Sequence, residues 1–145
     1  MSNTPYNTDF YQWTQAQAAH LRAKEWVALD IDHLAEEIES LGASDRRALR
    51  SQLMRLSHHL LKWHYQPQHR GESWQHSIAD ARLQIELILE DSPSLRNFLP
   101  EAFAWAYPRT RKASANETRL PLATFPEACP WSLEQVLDEN FFPEG

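Results

Sequence analysis

Residues Ser44–Tyr65 read SDRRALRSQLMRLSHHLLKWHY, and their spacing decides the fold class. Leu49, Leu53, Leu56, Leu60 and Trp63 alternate steps of four and three, the repeat of one buried helical face. Ser44 offers the hydroxyl of an N-cap, and Pro67 ends the segment because the residue before a proline avoids the helical region. Met54, Leu61 and Tyr65 make a second apolar stripe. Gln52, Arg55, His59, Lys62 and Gln66 then fall in a polar band roughly 60–140° from the leucine seam. Polar side chains on a helix buried from two sides need partners, so specific chemistry is sought there first.

Working outward, the pattern recurs over Glu72–Glu90, where Trp74, Ile78, Ala81, Ile85 and Ile88 form a matching seam. A loop around Gly71 joins the two segments as an antiparallel hairpin. Ser92-Pro93 opens a further helix carrying Leu95, Phe98, Leu99, Ala102 and Trp105, which Pro100 and Pro108 kink or split. Upstream, Ile31, Leu34, Ile38 and Leu41 share one face of a helix over Asp30–Leu41, and Gly42 stands where a left-handed cap belongs. A first helix runs from Thr8 or Asp9 to Lys24, with Asp9 and Gln12 spaced for a capping box. From Leu120 the texture turns proline-rich, with a short helix over Ser132–Asp138 and an anchor at Phe141-Phe142. The expectation is an all-α, up-and-down bundle of about five helices in a single domain, 1–145. Residues 8–119 form the bundle, and 120–145 form an extended segment that wraps it and ends in a short helix.

Composition bounds the class. A chain of 145 residues, 42% hydrophobic and with six tryptophans, has the material for a packed core without metal or disulfide support. One cysteine, Cys129, allows neither an internal disulfide nor a zinc finger. The opening MSNTPYNTDF has no basic n-region or apolar h-region, and no apolar run reaches the roughly 20 residues of a membrane span. A cytoplasmic location and no membrane partner are expected. The net charge of −6 disfavours general nucleic-acid affinity, but it is unevenly spread. Residues 1–43 hold seven acids and two bases, residues 44–70 six bases and one acid, and residues 120–145 five acids and no base. The simplest account is internal, with acidic ends lying against a basic central helix.

The blocks TDFYQWTQAQAAHLR, LDIDHLAEEIESLG, HHLLKWHYQP, ESW, EDSPSL and LPLATFPEACPWSLEQVLDENFF span nearly the whole chain. Together they resemble domain of unknown function family twenty-nine, common in cyanobacteria and some other bacteria. The resemblance implies a helical fold and carries no established activity. Pro100 and Pro108 depart from the family's pattern, which bears only on the continuity of the helix that holds them.

Several constellations merit weighing for function. Glu37 flanks the apolar face of the second helix and meets the polar band if that helix packs beside the third. The bland form of this contact is a carboxylate paired with His59 or Arg55 to fix register. The sharper form is a metal site. His33 and Glu37 stand four apart on one face, and His59 supplies a third ligand across the interface, which would suit metal-assisted hydrolysis. No HxxxH or HExxH occurs, however, and no Gly-rich phosphate loop or GxSxG is present. The acid pairs Glu36/Glu37 and Asp138/Glu139 diverge on a helix, and Cys129 has no basic neighbour to activate it. Leu83 and Leu87 lie opposite the seam of their helix and stay exposed unless the tail or a second subunit covers them.

The reading is a protein-binding or regulatory module rather than an enzyme, with no cofactor. It would engage another protein, or a second copy, through Glu37, Gln52, Arg55, His59, Lys62 and Gln66 or through the Leu83/Leu87 face. The alternative is the metal-assisted enzyme built on His33, Glu37 and His59. Third comes nucleic-acid binding through Arg46, Arg47, Arg50 and Arg70 with Trp63, Tyr65 and Trp74 for stacking.

Overall fold

A computed structural model describes residues 5–144. Residues 1–4, on which the expectation of no secretory leader partly rests, and residue 145 lie outside the described residues. The described residues hold five α-helices and no strand: α1 (Phe10–Arg22), α2 (Ile31–Tyr65), α3 (Glu72–Asp91), α4 (Leu99–Thr118) and α5 (Leu133–Leu137). The fold is all-α, and none of these helices is long and apolar enough to cross a membrane. The residues cluster into two compact units, Met1–Ser44 and Asp45–Gly145, and α2 contributes to both.

The largest departure from expectation is in the second and third helices. The two segments expected over Asp30–Leu41 and Ser44–Tyr65 are a single helix of 35 residues, so Gly42 is not a cap and Ser44 is not an N-cap. No glycine among the described residues has positive φ. Between Leu41 and Asp45 there is no proline, and each residue of Gly-Ala-Ser continues the hydrogen-bond ladder. Propagating an existing helix outweighs the roughly 1 kcal/mol that glycine costs inside it.

In the first unit, α1 is capped by Asp9, whose carboxylate accepts from the Gln12 amide at 3.0 Å. At its other end Lys24 takes the left-handed conformation, φ 60°. The Lys24 amide then reaches the Leu21 carbonyl at 3.1 Å and the Glu25 amide reaches the His20 carbonyl at 2.9 Å. This closure normally calls for glycine at the position Lys24 occupies. Asp30 joins the turn to both helices. Its carboxylate accepts from Trp13 Nε1 at 3.0 Å and lies 2.7 Å from His33 Nδ1, while its amide donates to Gln17 Oε1 at 2.8 Å.

In the second unit, Leu49, Leu53, Leu56 and Leu60 of α2 are wholly buried with Ile78, Ala81 and Ile85 of α3 and Leu99, Ala102 and Ala106 of α4. Side-chain pairs give the directions. Arg55 meets Asp80 and Lys62 meets Trp74, so α3 runs antiparallel to α2. Ser57 meets Thr110, and His58 meets Ser114, so α4 runs parallel to α2. The result is an up-down-up arrangement of these three helices. The run opened by Ser92-Pro93 is divided into a 3-10 segment, Pro93–Phe98, and α4 proper. Pro100 sits in the first turn of α4, where its missing N–H costs nothing, and Pro108 is carried inside the helix.

The proline-rich segment is held by its carbonyl groups. Arg111 Nε donates to Phe125 O at 2.8 Å, and Tyr107 Oη donates to Pro126 O at 2.7 Å. Arg82, 7% exposed, donates from Nε to Val136 O at 2.9 Å and from Nη2 to Phe141 O at 2.8 Å. Phe125 packs with Leu61 and Tyr107, Val136 enters the main core, and Phe142 meets Trp63 at 4.9 Å between ring centroids. Ser132 and Gln135 form a reciprocal capping box at the head of α5.

Three substitutions, each read by urea unfolding, test this geometry. Gly42→Ala should raise stability by about 1 kcal/mol, since a Cβ there meets nothing within 4 Å. Lys24→Gly should stabilise by a similar ~1 kcal/mol through relief of left-handed strain. Urea unfolding checks both, and destabilisation by Gly42→Ala would mean the helix breaks at that residue. Arg82→Met should cost about 3 kcal/mol, because it removes charge-assisted bonds and leaves tail carbonyls without partners.

Candidate functional site

The polar band exists, but its partners differ from those expected. Arg55 Nη1 lies 2.6 Å from Asp80 Oδ2 of α3, an exposed pair that Gln84 supports from its own turn at 3.4 Å. Lys62, 7% exposed, places Nζ 3.1 Å from Glu117 Oε2 of α4 and 5.0 Å from the centroid of Trp74. His59 Nδ1 donates to the Arg55 carbonyl at 2.9 Å, which leaves Nε2 as the ring's acceptor. Gln52 lies 3.5 Å from Arg55, and Gln66 closes the end of α2 through its amide, bonded to Lys62 O at 2.8 Å. Glu37, expected to pair with this band, instead lies near the Tyr6 phenol within the first unit, where its charge helps to raise that group. That expectation required two helices side by side, and residues 31–65 are one helix.

The tightest polar cluster joins α2 to α4 through a histidine that the spacing argument passed over. His58 Nδ1 lies 2.8 Å from Ser114 Oγ, and its Nε2 bonds Glu117. A carboxylate at Nε2 fixes the proton there, so Nδ1 accepts from the Ser114 hydroxyl. Hydroxyl, imidazole and carboxylate are thus linked in the order of a serine-type relay. Ser114 is nevertheless wholly buried, as is the Ser57/Thr110 pair beside it, bonded at 3.1 Å. A hydroxyl that no substrate reaches cannot attack one, so the chain of bonds is a tie between helices. The signal in the sequence was His58 and Lys62 four apart on α2, facing Ser114 and Glu117 three apart on α4.

The metal reading is not supported by the geometry. His33 Nδ1 is engaged by Asp30, and its ring stacks on Tyr6 with centroids 4.0 Å apart. His59 bonds the Arg55 carbonyl, and Glu37 lies near Tyr6. Among the described residues no group of three or more His, Cys, Asp or Glu is placed to hold a metal ion. Of the four arginines offered for nucleic acid, Arg46, Arg50 and Arg70 each lie over an aromatic ring, and Arg47 is exposed. Arg50 and Arg109 both lie over Trp105, at 4.8 and 3.9 Å, Arg46 over Phe98 at 4.8 Å, and Arg70 over Trp63 at 5.2 Å. Rings covered in this way are not free for bases to stack on. Cys129 is half-buried, and burial pushes its thiol up, away from nucleophilic use.

Among the described residues, two open surfaces bear on partner binding. Leu83 and Leu87 are 48% and 43% exposed. Leu83 borders a cleft of about 400 Å³ with Arg82, Glu86, Arg96, Leu137 and Glu139. The larger opening is in the first unit. Phe10, Leu21, Ile38 and Leu41 are 48%, 45%, 67% and 71% exposed, and all four line one groove of about 510 Å³ between α1 and the start of α2. Trp13 forms its floor, and Glu37 is the one ionised side chain in its lining. The Ile38/Leu41 face was legible in the sequence; that α1 leaves it uncovered was not.

The histidines titrate in opposite directions. Burial pushes His58 and His59 down from 6.5, and the charge of Lys62 adds to this. The hydrogen bond to Asp30 pushes His33 up from 6.5. For His58 and His59 the folded state binds fewer protons than the unfolded state. Their contribution to stability is therefore present above about pH 6.5 and lost as pH falls through the folded values. For His33 the contribution is full below about pH 6.5 and lost as pH rises through its folded value. Imidazole NMR titration should give a midpoint above 6.5 for His33 and below 6.5 for the adjacent pair.

Comparison with curated proteins and with solved structures returns no match. The model of the family described as "Domain of unknown function DUF29" matches residues 5–142. With nearly its whole length aligned, the chain belongs to the DUF29 family.

Proposed function

We propose that this chain is a protein-binding module and that it docks its partner in the groove between α1 and the start of α2. The observation that carries this reading is the concentration of exposed large apolar side chains in the first unit. Phe10, Tyr11, Leu21, Trp26, Val27, Ile31, Ile38 and Leu41 are all exposed there, against Leu83, Leu87 and Leu122 in the much longer second unit. The four that line the groove present on the order of 400 Å² of apolar surface, the size of the largest patch a typical monomer leaves open, which is often functional. Phe10 and Leu21 stand eleven residues apart on α1, so the groove extends about 16 Å, three helical turns. A groove between two helices, apolar along that length, suits a third helix laid into it.

The polar band supports no comparable role, because Arg55 and Lys62 already have carboxylate partners on α3 and α4. The Leu83/Leu87 pair is the smaller surface, and its cleft mixes two guanidinium and two carboxylate groups.

The test is photocrosslinking in the native cells from a reactive residue placed at Ile38, with Glu39 on the outer face as the control position. A defined, stoichiometric adduct from position 38 alone, lost when Leu41→Asp is added, is expected. Leu41→Asp lies on an exposed face and should change stability by less than about 0.5 kcal/mol. Equal yields from both positions would remove the groove as the docking surface.

A further inference from the structure

Resting on the groove reading, we infer that the occupant is a basic amphipathic helix of another protein, about three turns long, with Lys or Arg flanking its apolar face. The argument is charge complementarity. The groove lining holds one ionised side chain, Glu37, and no cation. Asp32, Glu36 and Glu39 lie on the outer flank of the same helix, and residues 1–43 together carry seven acids against two bases. An apolar slot with an acidic wall attracts a cationic helix and repels an anionic one before contact is made.

Glu37 also stands beside an aromatic cluster. It is close enough to the Tyr6 phenol to help raise that group, and the Tyr6 ring stacks on His33 and meets Trp13 edge-on at 4.8 Å between centroids. Among the described residues the Glu37 carboxylate enters none of the ion pairs. Tyr6 is raised from its ordinary value by burial first and then by Glu37, so the phenol keeps its proton throughout the physiological range.

The same charge argues against a second copy. A two-fold contact through this groove sets the acidic segment of one chain against the identical segment of the other. Every like-charge juxtaposition there works against association, while the apolar area gained is the same as with a basic partner.

Two synthetic eighteen-residue helical peptides provide the test. They share one Leu/Ile/Phe face and differ only in whether Lys/Arg or Glu occupies the flanks. Binding to the full chain is read by fluorescence anisotropy at low and high salt. The basic peptide should bind at least tenfold more tightly than the acidic one, with an advantage that shrinks as salt rises. Glu37→Gln, which removes the charge and keeps the size of the side chain, should lower the affinity for the basic peptide about threefold. Ile38→Glu should abolish binding of either peptide. Equal binding of both peptides, lost with Ile38→Glu, overturns the charge inference and leaves the groove reading standing. Binding of neither peptide by a chain that light scattering finds monomeric overturns both. A dimer that Ile38→Glu dissociates assigns the groove to a second copy and overturns the basic-helix occupant.

Discussion

The leucine seam of α2 is the constraint on which the second unit depends. Leu49, Leu53, Leu56 and Leu60 are wholly buried between α3 and α4, and each fully buried leucine is worth about 2 kcal/mol of apolar transfer. Packing both sides of that seam brings the flanking positions of α2 against two helices at once. On one flank Arg55 must then find a partner on α3. On the other, Ser57 and His58 must find partners on α4. Asp80, Thr110, Ser114 and Glu117 are those partners. The polar network is thus a consequence of burying the seam, and it fixes the register that the apolar contacts alone leave adjustable.

The tail solves a related problem by a different route. A segment with prolines at 121, 126, 130 and 143 cannot make a regular ladder, so its carbonyls need side-chain donors. Arg82, Arg111 and Tyr107 supply them. Burial raises the Tyr107 phenol to about 12, which keeps it a donor at any physiological pH. Guanidinium groups suit the task because several N–H vectors leave one planar head, and Arg82 reaches carbonyls on both sides of the α5 terminus. The acidic composition of the tail therefore does not anchor it. Backbone carbonyls do.

Much of this was legible, and what was missed has a physical pattern. Apolar periodicity located α1, α3 and the seam of α2, because burial imposes the repeat directly on the residues. The proline run identified the extended tail for the same local reason. Gly42 misled because a glycine has two readings, cap or tolerated interior residue, and only the continuity of the ladder beyond it chooses. Glu37 was assigned to the polar band because it flanks the apolar face of a segment expected to pack beside that band, and sequence spacing says nothing of which distant helix brings the carboxylates. Asp80 and Glu117 come from α3 and α4, and His58 was passed over because its significance lies in Ser114 and Glu117, more than fifty residues away.

The contrast between the units bears on function more than any single cluster does. In the second unit the two cations of the α2 band, Arg55 and Lys62, have carboxylate partners, and the one bond order that resembles catalysis ends in a hydroxyl with no exposed surface. In the first unit the helical repeat is as regular, yet Ile31, Ile38 and Leu41 stand open beside Phe10 and Leu21. Both faces obey the same periodicity, so the difference is not in helix formation but in what was given to each face to pack against. A segment of about forty residues has little core of its own, and leaving its apolar face open forgoes part of the stability it could have. The carboxylate of Glu37 at the edge of that face adds a chemical preference to an otherwise unspecific surface. Stability withheld in one region and recoverable by an occupant is how binding couples to order, since a ligand adds its own free energy to the state it selects.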